Sequence, residues 1–328
     1  MQRHFISINE PVADFKWQKL FFERWPAYQK WLNESGRPPE RSIALAALRK
    51  YMPEMVDTHD HLCRLVRAED DVVAFLTGFQ PPAYSSACSQ VVSTQQTVQL
   101  IRNYDYHVGL FEGTLLMTRW HGKKVIANSD CLLGVLDGMN EDGLAISLTF
   151  GGRSVVGYGF GIPFILRYIL EFCSTVEEAV DVLLRVPSHM SYNVTVTDRR
   201  GLIKTIQIAP DKSPVVTGIP LATNHQGPIE WAGNINKTVE RASCLKNLLL
   251  NGVGGEDLTQ AFLRKPLHNS EYSDGFGTLY TAVYQPIEGK VQLHWPNESV
   301  VQSFDSFIEG KKLIIYNQNK TSIARGKH

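Results

Sequence analysis

Between residues 80 and 88 the chain changes character, and that change limits the folds open to it. Before it, Trp17, Leu20, Phe21, Trp25, Tyr28 and Leu32 recur at helical spacing, with Pro26 as an expected interruption. Residues 43–48 start a second helix, and Pro53 starts a third through Val56, Leu62, Leu65 and Val66. Gln80-Pro-Pro-Ala-Tyr-Ser-Ser86 then reads as an extended loop, because proline disfavours helix at itself and at the residue before it. Beyond it the texture is that of strands. Segments 89–94, 107–120 (with a turn at Gly113) and 124–128 are rich in β-branched and aromatic residues. Residues 136–143 are dense in turn signals, and 144–150 reads as a buried strand. Two helices follow, 162–172 and 174–186, the second with Ser174 as N-cap and Glu177 in the capping-box position. Strands 192–197, 202–208 and 221–223, helices 238–250 and 257–263, and a hairpin of 278–284 and 290–295 complete the pattern. This order suits two packed sheets flanked by helices, an α+β class, and not a strict βαβ alternation.

Charge and composition exclude several function classes. Thirty-three Lys+Arg balance 33 Asp+Glu, which gives no argument for nucleic acid or an anionic membrane as a partner. No apolar run is long enough to cross a bilayer, and the first ten residues lack the apolar core of a secretory signal. The five cysteines, Cys63, Cys88, Cys131, Cys173 and Cys244, are odd in number, widely spaced and without a CxxC pair. Reduced thiols and a cytoplasmic location are the expectation.

One thiol stands apart. Cys88 lies in Ser86-Ala87-Cys88-Ser89-Gln90-Val91-Val92, and Arg102-Asn-Tyr-Asp105 follows about one hairpin later. A cysteine attacks carbonyls as its thiolate, and a free thiol titrates near ~8.5, so some group must accept its proton. A lone buried cysteine is more often a small hydrophobe, which is how Cys131, Cys173 and Cys244 are read. Arg102 and Asp105, three apart, reach one site if the segment carries a local turn, where the guanidinium would grip the carboxylate in bidentate fashion. As an exposed pair they would contribute little.

The ordered set resembles the N-terminal nucleophile (Ntn) hydrolases of the penicillin acyltransferase and choloylglycine hydrolase type, with their acid-ceramidase-like relatives. Asp137-Gly-Met-Asn-Glu-Asp-Gly-Leu144 resembles the Gly-x-Asn-Glu-x-Gly-Leu segment of those proteins. Ser147-Leu-Thr-Phe-Gly-Gly152 carries Thr149 where choloylglycine hydrolases often carry an asparagine. Thr223-Asn224-His225, Thr238-Val-Glu-Arg241 and the closing hairpin of 277–296 continue the likeness, which spans roughly residues 20–296.

The resemblance implies an αββα four-layer sandwich with a helical N-terminal leader. Residues 1–87 would be a pro-segment and 88–328 the catalytic part, released by a cut between Ala87 and Cys88. The α-amine of Cys88 would then serve as base, with a reference pKa of ~7.7–8.0. Arg102 and Asp105 would orient that amine, Asn224 would donate to the tetrahedral intermediate, and Arg241 would return to the nucleophile. Thr149 and Asn140 are weaker oxyanion or substrate candidates. The implied activity is hydrolysis or acyl transfer at a carbon–nitrogen bond other than a peptide bond. It needs no cofactor or metal and takes a small acylated amide, with an acceptor amine or acyl-CoA as second partner. The acyl group, the choice between hydrolysis and transfer, and the oligomeric state are left open.

Four rival readings compete with this one. His59-Asp60-His61 has neighbours at i and i+2, which point to different faces of a helix and chelate poorly. Gly157-Tyr-Gly-Phe-Gly161 and Gly252-Val-Gly-Gly255 match neither nucleotide-binding glycine pattern. For a papain-like Cys/His enzyme the ten histidines offer partners, but no papain-type local signature surrounds Cys88. A non-catalytic, uncleaved protein of the same fold is the last.

Overall fold

A computed structural model describes residues 1–36, 39–84, 86–227 and 237–316, so Ser85 of the expected loop lies outside the described residues. The chain opens with β1 (Gln2–Glu10), then α1 (Phe15–Ser35), α2 (Arg41–Tyr51), α3 (Val56–Val66) and α4 (Asp70–Leu76). The strands β2 (Ala87–Ser93), β3 (Gln99–His107), β4 (Thr114–Thr118), β5 (Val125–Asp130), β6 (Gly134–Asn140) and β7 (Ala145–Phe150) follow. Next come α5 (Ile162–Phe172), α6 (Val176–Arg185), β8 (Tyr192–Thr197), β9 (Ile203–Ala209), β10 (Lys212–Thr217) and β11 (Leu221–Ala222). The chain closes through α7 (Thr238–Leu250), α8 (Gly255–Phe262), β12 (Phe276–Gln285), β13 (Lys290–Trp295), β14 (Glu298–Ser303) and β15 (Gly310–Ile315).

The strands form a nine-stranded sheet, β10-β9-β8-β7-β6-β5-β4-β1-β15, and a six-stranded sheet, β11-β2-β3-β12-β13-β14. Their inner faces meet in a core that includes Phe5, Cys88, Tyr104, Ile126, Leu136, Tyr280 and Trp295. The outer face of the large sheet is covered by α5, α6 and the leader helices, through Trp17, Phe21, Leu48, Phe75, Ile165 and Leu183. The outer face of the small sheet is covered by α7 and α8, through Leu245, Leu258 and Phe262 packed on Val91, Ile101 and Val283. Four layers, αββα, result.

Three local expectations are corrected. Pro26 does not interrupt α1, which runs on to Ser35. A proline inside a helix costs about 3 kcal/mol, and ring packing opposes that cost: Phe21 stacks on Trp25 at 5.5 Å, and Trp25 meets Phe75 edge-on at 5.4 Å. Residues 136–140 belong to β6, and only Glu141–Gly143 turns, with Gly143 at φ +84. The capping box of α6 sits one residue later than expected, on Thr175 and Glu178. Several elements were not foreseen, among them α4, β10, β14, β15 and β1. β1 lies between β4, to which it runs parallel, and β15, so the leader is woven into the large sheet. Among the described residues no helix is long and apolar enough to cross a membrane.

Candidate active site

Strand alternation decides what surrounds Cys88. Successive side chains of a strand point to opposite faces. In β2, Cys88 and Gln90 face the large sheet, where Gln90 bonds Thr195 and Ser147, while Ser89 and Val91 face α7 and α8. In β3, paired with β2 so that Tyr104 lies opposite Cys88, Arg102 and Tyr104 share the Cys88 face. Asn103 and Asp105 face the helices instead.

Arg102 and Asp105 are therefore on opposite faces, and the expected bidentate pair does not form. β3 is regular here, and a spacing of three without a turn inverts the face. Arg102 is fully buried and donates to the Leu148 carbonyl at 2.9 Å, the Tyr280 hydroxyl at 3.3 Å, the Cys88 sulfur at 3.1 Å and the carboxylate of Asp137. Asp105 accepts from the Thr278 hydroxyl at 2.6 Å and lies 3.9 Å from the Arg241 guanidinium. Among the described residues its Oδ2 has no hydrogen-bond partner.

The open side of Cys88 is closed by side chains where a strand stops. β11 pairs Leu221 with Val91 and Ala222 with Gln90, a register that would bring residue 224 opposite residue 88. The strand ends first, and the Asn224 side chain takes over. Its Oδ1 accepts the Cys88 N–H at 3.0 Å and an Arg241 N–H at 2.7 Å, and its Nδ2 donates to the Phe150 carbonyl at 3.1 Å. Arg241, from the first turn of α7, also donates to the Cys88 carbonyl and to Ser89 Oγ at 2.7 Å. In the intact chain Asn224 thus presents its carbonyl, not its amide donor, to Cys88.

The two weaker candidates do other work here. Thr149 donates to the Thr223 carbonyl at 2.8 Å and accepts from Asn193 at 3.1 Å, so it braces the Asn224 segment. Asn140 donates to the carbonyls of Leu170 and Cys173 and accepts from the Leu144 N–H, which fastens the β6–β7 turn to the end of α5. With those groups engaged, Asn140 braces the end of β6 and does not join Cys88. His225 lies against Thr223 and Thr238, at 3.2 and 3.0 Å, and among the described residues no histidine hydrogen-bonds Cys88. His59 and His61 bond different carbonyls, those of Val73 and Ala13.

Asp137 is the site residue that sequence reasoning missed. It receives Arg102, the hydroxyls of Tyr280 and Tyr284, and Asn128 Nδ2 at 2.6 Å. Its signal was the all-buried run of β6, hidden by the turn-like Asp-Gly-Met-Asn string.

Burial governs the electrostatics. Loss of water pushes the Cys88 thiol above its ordinary range; Arg102 opposes this and Asp105 adds to it. Burial likewise raises Asp105, against the pull of Arg241. Burial works to lower Arg102, but Cys88 and Asp137 hold it well above its usual value. In the intact chain the thiol is protonated beside a fixed cation, which is the arrangement a thiolate needs once a base removes the proton.

A four-layer sandwich with a buried cysteine near the start of an inner strand is the architecture implied for Ntn hydrolases. Residues 92–299 match the acyl-coenzyme A:6-aminopenicillanic acid acyl-transferase family, and the chain belongs to it. The match includes Arg102, Asp105, Asp137, Asn224 and Arg241 and begins just after Cys88. No curated protein sequence matches. Among solved structures, a point mutant of a conjugated bile acid hydrolase from Clostridium perfringens is similar at 14% identity and a TM-score of 0.48, covering 71% of this chain and 97% of that one. Penicillin V acylase from Agrobacterium tumefaciens is similar at 15% identity and a TM-score of 0.42, over 71% and 93%. A Caenorhabditis elegans ortholog of N-acylethanolamine-hydrolyzing acid amidase is similar at 16% identity and a TM-score of 0.45, over 70% and 100%.

Proposed function

We propose that this chain is an amide hydrolase or acyltransferase whose nucleophile is Cys88, made competent by cleavage of its own Ala87–Cys88 bond. One observation carries the proposal: both reacting atoms of Cys88 are held, the nitrogen by Asn224 at 3.0 Å and the sulfur by Arg102 at 3.1 Å.

In the first stage the Cys88 sulfur attacks the Ala87 carbonyl. The C–N bond breaks, a C–S bond forms and the thiol proton passes to the nitrogen. Water then cleaves that thioester, leaving a carboxylate on Ala87 and a free thiol and α-amine on Cys88. In turnover the α-amine takes the thiol proton, the thiolate forms a thioester with the substrate acyl group, and the proton goes to the leaving amine. Asp105, with Arg241 beside it, orients the amine, while Arg102 favours the thiolate. Asn224 Nδ2, released from the Phe150 carbonyl, is the donor offered to the oxyanion; such a donor contributes roughly 3–4 kcal/mol. Water resolves the thioester in hydrolysis, and an acceptor amine does so in transfer. An acyl-CoA is the donor that the family description suggests. All five cysteines are free, in keeping with a reducing, cytoplasmic setting.

Cys88 and Ala87 are both fully buried, so an uncleaved chain cannot admit a substrate to the sulfur. The test is labelling of active protein with iodoacetamide, followed by peptide mass mapping. Loss of activity should track alkylation of Cys88, and Cys131→Ala, Cys173→Ala and Cys244→Ala should stay active. Inactivation with Cys88 unmodified would rule the nucleophile out.

A further inference from the structure

The large sheet has nine strands and the small one six, so part of the large sheet has no sheet opposite it. β2 packs against β7 and β8, and β11 against β8, which leaves β9 and β10 at the open margin. Val194, Val196, Ile206 and Ile208 point to the outer helical layer. By alternation Asn193, Thr195, Thr205 and Gln207 point inward, as the bond from Gln90 to Thr195 also shows. A face between packed sheets is ordinarily part of the core. Here it is polar, and the inter-sheet core takes from β8, β9 and β10 only the half-buried Ile203.

A cavity of about 320 Å³ opens at this margin. Asn193, Thr205, Gln207, Thr217, Thr223 and His225 form its polar wall, and Ile219, Leu221 and Ala242 its apolar side. Among the described residues no Asp, Glu, Lys or Arg lines it. Thr223 and His225 face the cavity, while Asn224 between them turns to Cys88.

The wall is rich in acceptors and poor in donors. The hydroxyls of Thr205, Thr217 and Thr223 donate to the carbonyls of Ile219, Thr205 and Thr238, at 2.7, 3.1 and 3.1 Å. Asn193 Nδ2 donates to Thr149 Oγ1 and to the carbonyls of Thr223 and His225. Its Oδ1 is buried and has no partner among the described residues, a costly state for an amide oxygen. Thr238 Oγ1 donates to Thr223 Oγ1 at 2.9 Å. With both hydroxyl protons so placed, His225 Nδ1, which meets those two oxygens, is the donor. Nε2 of the neutral ring is then a bare acceptor. Burial and the Arg241 charge push His225 below its usual range and keep it neutral. The same two influences oppose a bound ammonium.

We propose that this cavity is a second ligand site, separate from the catalytic centre, for a small uncharged molecule that carries a primary carboxamide on an apolar body. Two N–H donors answer Asn193 Oδ1 and His225 Nε2, and the Gln207 amide answers the carbonyl. The apolar body lies on Ile219, Leu221 and Ala242. At ~30 Å³ per water the space equals about ten waters, which fits a ligand of about ten non-hydrogen atoms. An occupant touches both chain neighbours of Asn224, the residue that holds the Cys88 N–H.

The experiment uses the full chain with Cys88→Ala, so that no thioester forms and the outcome does not depend on the nucleophile. The probes are benzamide, acetophenone (the same shape without N–H donors), benzoate and benzylammonium, titrated by ligand-detected NMR. Benzamide should bind at least about tenfold more tightly than each of the other three. Ala242→Leu, which fills the cavity from α7, should weaken benzamide by about tenfold or more. His225→Phe should remove most of the preference over acetophenone, and thermal unfolding should show both variants folded. Equal affinity for benzamide and acetophenone, or benzamide binding undiminished in Ala242→Leu, overturns the proposal. Absence of benzamide binding at millimolar concentration also overturns it and leaves a groove that holds water only.

Discussion

Asp137→Asn is the most informative single substitution, because the buried pair it breaks also positions the nucleophile's cation. Asp137 and Arg102 are both fully buried, and the carboxylate accepts from Arg102, Tyr280, Tyr284 and Asn128. Each carboxylate oxygen meets two donors, so either orientation of an asparagine turns an NH2 group toward a pair of them. The Arg102 charge also loses its counter-ion. Breaking a buried pair by removing one partner costs about 3–5 kcal/mol. With an unfolding entropy of about 2.1 cal/mol/K per residue over 328 residues, that cost lowers Tm by about 4–7 °C. The assay is thermal unfolding by calorimetry in a Cys88→Ala background, where every sample is one chain. Arg102→Met combined with Asp137→Leu should recover part of the loss, giving a coupling energy of about 2 kcal/mol or more. In protein that retains Cys88, release of Arg102 from its anchor should also slow cleavage at Ala87–Cys88. A Tm within about 1 °C of the parent, with additive single and double variants, would refute the claim that Asp137 anchors Arg102.

Asp105→Asn should keep the fold but lower kcat by about 10²-fold in cleaved protein, a size typical of positioned acid–base machinery; near-parental turnover would remove Asp105 from the mechanism. Asn224→Leu leaves the buried Cys88 N–H without its acceptor, at about 1–3 kcal/mol, and should slow self-cleavage when followed by gel electrophoresis. Asp130 predicts a pH dependence of stability. Burial and Glu112 raise its folded value from 3.8 to about 7, so the native state holds a proton that the unfolded chain releases. That stabilisation is fully present below about pH 4 and disappears as pH rises through about 7. The Tm of wild type relative to Asp130→Asn should therefore fall between about pH 4 and pH 7, and a flat difference would contradict it.

How much of this was legible depended on whether the signal was local. The bounds of α5, β8, α7 and β13 follow from periodicity over their own residues, and the structure repeats them. The edge strands β10, β14 and β15 are largely exposed and lack a buried face to mark them, and β1 forms by pairing with partners far along the chain. β6 was hidden because Asp-Gly and Met-Asn carry turn propensity that burial between neighbouring strands overrides. At the site, the ordered motifs pointed to Cys88, Arg102, Asp105, Asn224 and Arg241, and the structure brings those five together around β2. Their pairings were not legible. The partner of Arg102 is 35 residues away on another sheet, and Asp105 meets an arginine from α7. Only the strand register reveals which face each side chain takes.

The central claim is tested most directly by intact mass and N-terminal sequencing of purified, active protein under denaturing conditions, beside Cys88→Ala. The account predicts two wild-type polypeptides, 1–87 and 88–328, the second beginning at Cys88, that remain associated under native conditions because β1 and α1 are built into the large sheet and its outer layer. Cys88→Ala should stay a single, inactive chain. Full activity from a wild-type chain that begins at Met1, with no terminus at Cys88, would contradict the account.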